Sequence, residues 1–178
     1  MKNEFIYLKS ISSNSNDYIQ IDITLANEVV PTSEFIDNYI ISNYWSGKFF
    51  IKKLIKRLFK HKINQQFIWD NKFFDKMSIT KFNYKYSLPQ TVPDLIQLEK
   101  KIKETTTTKR FKDILKYKQL LENKVDLNMP LFITGKALNY LGSDIKSNEI
   151  HFLDGTRRLW ANILNENIND NGLLINIK

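Results

Sequence analysis

The segment HFLDGTRRLWANIL, residues 151–164, concentrates the residue types that can do chemistry. The spacing predicts a strand ending at Leu153, a turn at Asp154-Gly155, and a helix from about Thr156 with Arg157 and Arg158 in its first turn. Two cations there are locally unfavourable. A helix N-terminus carries partial positive charge and free N–H groups, so adjacent bases cost a few tenths of a kcal/mol each, on the order of other exposed charge–dipole terms. The placement makes sense if an anion sits at that end, where N–H groups, dipole and guanidinium forks converge on it. Arginine usage points the same way. The chain has 23 lysines and 4 arginines, and half of the arginines stand at 157 and 158. Lysine would supply charge alone, whereas arginine adds a planar fork suited to phosphate. A second reading stands beside this one: Asp154 caps the helix, and the arginines are exposed with stems covering apolar surface.

Other residues near the motif are secondary candidates. Glu149 and His151 share a strand face and could contact phosphate or carry a proton; equally, they are polar strand positions beside a core. Asp126 and Asp144 could assist a metal, or simply form turns.

The elements that must position this segment read as mixed. Alternation predicts strands at 4–9, 18–25 and 77–87, the last with Phe82 and Lys81 competing for the inner phase. Pro31-Thr32-Ser33 predicts a helix start, running to about Tyr44. Helices are predicted at about 93–104 and 109–124, separated by Thr105–Thr108, whose β-branched side chains suit a connection better than a helix. LFIT (131–134), EIHFL (149–153) and the closing GLLINIK predict short strands around a helix at 155–166. The order is α+β, with no internal repeat.

Length and composition bound the rest. The 178 residues suit one domain. There is no cysteine, so disulfides, thiolate metal sites and cysteine nucleophiles are excluded, and two histidines exclude a histidine-rich metal centre. No apolar run approaches a spanning helix, and no secretory signal is expected at the N-terminus, which predicts a cytoplasmic protein. The net charge of +8 is uneven: residues 1–47 carry −4, residues 48–62 carry +7, and residues 63–178 carry +5. Residues 48–62 form the clearest amphipathic pattern, with Ile51, Leu54, Ile55, Leu58 and Phe59 opposite Lys52, Lys53, Lys56, Arg57 and Lys60. This helix packs on a core with a solvated lysine face, lies peripherally on an anionic inner-membrane surface, or contacts nucleic-acid phosphates.

The run Asp154-Gly155-Thr156-Arg157-Arg158-Leu159-Trp160-Ala161 resembles the Gly-x-Arg-Arg-x-x-Ala signature of the ParB/sulfiredoxin-like superfamily. Its context is similar too: a helix at 109–124, Leu127-Asn128-Met129-Pro130, a strand, a turn, a strand, the motif helix and a last strand. The resemblance covers about residues 109–178. It implies a small mixed sheet with flanking helices, one domain over 1–178, and residues 1–108 as a family-specific N-terminal elaboration. It further implies a nucleotide site for ATP or CTP with Mg²⁺ as helper. Gly155 would allow close backbone approach, Arg157 and Arg158 would hold phosphate oxygens, and Thr156 would add an N–H and a hydroxyl. Asp154 stands where kinase-like members keep an acidic residue, which implies a catalytic role toward a small hydroxyl acceptor. The second acidic residue has Glu28 and Glu34 as candidates. There are departures. Sulfiredoxin chemistry needs a cysteine. Partition-type members have Glu where Thr156 stands and a helix-turn-helix afterwards, whereas this sequence ends 20 residues past Arg158, so a partition clamp is not expected. Kinase-like members have histidines at 156 and 157. The implied function is nucleotide-dependent phosphoryl transfer, as a kinase or triphosphatase. The alternative is a non-catalytic nucleic-acid-binding regulatory module on the same fold.

Overall fold

The computed structural model describes residues 4–8, 19–35, 75–88, 92, 94–166 and 169–178. The amphipathic segment 48–62 and the predicted helix beyond Phe35 lie outside the described residues. The elements in chain order are β1 (Glu4–Leu8), β2 (Ile19–Val30), α1 (Thr32–Phe35), β3 (Met77–Ser87), α2 (Leu95–Thr105), α3 (Thr108–Glu122), β4 (Leu131–Thr134), α4 (Gly135–Tyr140), β5 (Ile150–Asp154), α5 (Thr156–Leu164) and β6 (Asn169–Ile177). The fold is α+β. The strands form a mixed sheet in the order β1-β2-β3-β6-β4-β5. β1 and β2 are antiparallel with Ile6 opposite Ile21, while β4 and β6 are parallel with Phe132 opposite Leu174. Contacts group the chain into two compact units, each assembled from separated stretches. Among the described residues no helix is long and apolar enough to cross a membrane.

The first unit takes in residues 1–25, 83–130 and 154–172. Its helices α2, α3 and α5 bury Leu98, Ile102, Ile114, Leu159, Ala161 and Ile163 completely, and α3 packs on α5. The threonine run punctuates α2 and α3 through its hydroxyls. Thr105 and Thr106 donate back to the carbonyls of Lys101 and Ile102 at 2.8 and 2.7 Å, drawing acceptors from the end of α2. Thr107 then caps α3 by accepting from Arg110 N–H. Hydroxyls that compete with the helix ladder are favoured at such ends. α3 closes in a Schellman motif: Val125 N–H donates to Leu120 C=O and Lys124 N–H to Leu121 C=O, both at 2.9 Å, with Lys124 at φ 57°. A lysine in that left-handed position is strained, since glycine is the usual occupant. Lys124→Gly is expected to raise stability by about 0.5–1 kcal/mol, measured as a higher urea midpoint with unchanged slope.

Tyr86 donates its hydroxyl to Ile163 C=O at 3.0 Å, tying β3 to α5 within this unit. Burial, and secondarily the Glu166 carboxylate, raises the pKa of that phenol. The folded state therefore holds the proton to higher pH than the unfolded chain does. The associated stability is complete below the unfolded value near 10 and is lost as pH rises through the folded value. Tyr86→Phe is expected to cost about 1 kcal/mol at neutral pH and to flatten the decline above pH 10, as read from denaturation at pH 9, 10 and 11.

The second unit takes in residues 26–82, 131–153 and 173–178. Phe132 sits at its centre between Phe82 and Phe152, both edge-to-face, with centroids 5.1 and 4.9 Å away. Thr134 ends β4 and caps α4 by accepting from Ala137 N–H at 3.1 Å, while its hydroxyl donates to Asn176. α4 replaces the plain turn expected between LFIT and EIHFL. The competition within β3 falls to Phe82, which is fully buried, while Lys81 turns out to pair with Glu28.

Candidate functional site

β5 delivers the motif. Asp154 is its last residue and is only 7% exposed. The chain then turns through Gly155 at φ 94°, ψ 15°, a left-handed geometry that disfavours any side chain. Space agrees with conformation: a Cβ at Gly155 would lie 2.9 Å from Arg158 Nη2 and 3.0 Å from Pro130 Cα. α5 follows at once. Gly155 is its N-cap and, being glycine, offers no side-chain cap, and no acidic residue stands in the first turn. The cap position falls to Gly155, and the Asp154 carboxylate lies 3.5 Å from Arg158 Nη2, one turn along the helix.

The two arginines diverge. Arg157 is 48% exposed, and its Nη1 lies 2.7 Å from Asp113 Oδ2 on α3. Arg158 is only 14% exposed and lines a cavity of about 100 Å³ together with Leu121, Asp126, Asn128, Pro130 and Asn162. Its contact with Asp154 is longer than a charge-assisted hydrogen bond, typically about 2.7–2.9 Å. Asn162 is buried in the apolar stretch of α5 and donates to Tyr84 Oη at 3.3 Å.

The structure thus brings together Asp154, Gly155 and Arg158, with Thr156 half-buried at the start of the helix, and sends Arg157 to a different carboxylate. Glu149 and His151 pair with each other at 3.1 Å. Glu28 is engaged by Lys81, and Glu34 is exposed on α1. Sequence reasoning missed Asn162 and Asp113. Asn162 had a signal, being the single polar residue among Leu159–Leu164 and one turn after Arg158. Asp113 had none, because 44 residues separate it from Arg157.

Among the described residues no three His, Asp or Glu side chains gather to hold a metal ion, and Asp154 already faces a guanidinium. Among the described residues the donor set does not form a protein cage for Mg²⁺. Chemically, the arrangement offers a largely shielded guanidinium at the start of a helix, with the buried Asp154 carboxylate beside it and Asp126 on the cavity wall. The chain matches no family model, no curated protein and no solved structure.

Proposed function

We propose that this chain is a nucleotide-binding phosphoryl-transfer enzyme of ParB/sulfiredoxin-like type that seats one phosphate group at the N-terminus of α5. The observation that carries this reading is Arg158, largely buried and lining a small cavity near the start of α5. Pockets for whole drug-sized ligands run to about 300–1,000 Å³, so this cavity takes the phosphate while sugar and base lie outside it. Arg158 and the first-turn N–H groups of α5 hold the phosphate oxygens, Gly155 lets the Arg158 guanidinium pack against the turn, and Asp154 accepts the proton of an acceptor hydroxyl or water. Positioning and charge neutralisation supply most of the remaining rate. Arg157, tied to Asp113, plays the lesser part. The reading places the protein in the cytoplasm, where nucleoside triphosphates are held.

A thermal-shift series with ATP, CTP and inorganic phosphate, each with and without Mg²⁺, tests this. Ligand at about 100 times its dissociation constant adds about 2.7 kcal/mol, a rise of about 5–10 °C for a chain of this size. Arg158→Ala is expected to abolish the rise, and Arg157→Ala to leave most of it. A rise that survives Arg158→Ala, or no rise with any of these ligands, refutes the site.

A further inference from the structure

The outward face of α3 carries charge that no ion pair among the described residues offsets. Lys109, Lys112, Lys116, Gln119 and Asn123 are all exposed, and at 3.6 residues per turn they fall on one stripe opposite the buried Ile114. The two acids of α3 lie off that stripe and are already matched, Asp113 by Arg157 and Glu122 by Lys118. Lys109, Lys112 and Lys116 make no ion pair among the described residues. The exposed residues of this face are all polar, with the half-buried Leu120 at its edge, so it lacks the broad apolar half that interfacial helices need. Backbone contacts to nucleic acid need only such polar and cationic groups. The spacing fits as well. From Lys109 to Lys116 the helix rises about 10.5 Å, and lysine carries its charge on a flexible four-carbon stem, so the three ammonium groups can each reach a neighbouring backbone phosphate.

We infer that the Lys109–Lys112–Lys116 face of α3 binds the phosphate backbone of duplex nucleic acid without reading its sequence. This surface is separate from the cavity at α5 and does not depend on the reading proposed for it. The salt dependence of binding measures it directly. Each neutralised phosphate contributes about −0.9 to the slope of log K against log salt. In fluorescence anisotropy with a random-sequence DNA duplex, the full-length triple variant Lys109→Gln/Lys112→Gln/Lys116→Gln is expected to have a slope shallower than wild type by about 2.7. A charge-matched control, Lys85→Gln/Lys136→Gln/Lys146→Gln, changes exposed lysines elsewhere and is expected to leave the slope within about one unit of wild type. Thermal melts of both variants confirm that they are folded. Three results overturn the inference: no duplex binding by wild type at low salt, equal slope changes in the two variants, or a triple variant that loses binding to phosphatidylserine vesicles while keeping its affinity for DNA.

Discussion

A Gly135→Ala chain is expected to melt about 6–12 °C below wild type, from a loss of about 3 kcal/mol. The reason is contact. A Cβ at Gly135 would lie 2.0 Å from Lys146 O, 3.0 Å from Lys146 C and 3.2 Å from Glu149 O. All three are backbone atoms, and they are pinned: Gly135 N–H donates to Glu149 C=O at 2.6 Å, and Glu149 N–H donates to Lys146 C=O at 3.0 Å. No rotamer change relieves the overlap, so the loop 141–149 or the start of α4 must shift. Helix propensity argues for the opposite sign, because alanine is favoured over glycine inside a helix by about 1 kcal/mol. The direction of the change in melting temperature therefore decides between the two effects. Lys136→Ala, one residue along and exposed, is the control and should move the midpoint by no more than about 0.5 kcal/mol. A Gly135→Ala protein as stable as wild type would show that the packing of α4 against this loop is looser than described.

The second large effect separates the two Asp–Arg pairs. Asp154→Asn is expected to cost about 2–3 kcal/mol, because it leaves the mostly buried Arg158 without its carboxylate, and orphaned buried charges are expensive. Asp113→Asn is expected to cost less than about 1 kcal/mol, because its partner Arg157 is half in water and such pairs contribute little. A double-mutant cycle with Arg158→Met should recover part of the first loss and return a coupling of about 1–3 kcal/mol. The same variant divides binding from chemistry in the proposed site. With the competing carboxylate neutralised, Arg158 is freer to meet a phosphate, so the ligand-induced thermal shift of Asp154→Asn is expected to be at least that of wild type. Turnover should fall by about 10² or more, the contribution of a positioned base. A thermal shift that vanishes along with turnover would assign Asp154 to building the site and remove it from the transfer step.

Much of this architecture is legible in local pattern. Period-2 alternation places β3 on its observed residues, and the Asp-Gly pair marks the break between β5 and α5. The threonine run separates α2 from α3 because four competing hydroxyls suit helix ends. What escapes is set by contacts distant in sequence. β2 runs on through Ala26–Val30 until Pro31, since nothing before that proline removes a backbone donor. α4 hides because glycine between a strand and polar residues reads as a turn, and only the approach of Lys146 and Glu149 explains why a glycine must begin that helix. Phe82 wins over Lys81 because Phe132 waits for it across the unit's core. The separation of Arg157 from Arg158 was accessible in principle: neighbours on a helix point about 100° apart, so one arginine can enter a cavity while the next meets α3. Their individual partners required the folded chain.

Three phenylalanines meeting edge to face also give the second unit a magnetic signature. In each of these pairs the ring that presents its edge places protons in the shielding cone of the other, and those protons should resonate upfield of ordinary phenylalanine signals. The effect weakens steeply with ring separation, so those shifted lines collapse toward random-coil positions when the cluster loosens. One-dimensional proton spectra would then show whether a substitution such as Gly135→Ala disturbs this unit while the helices of the other keep their native chemical shifts.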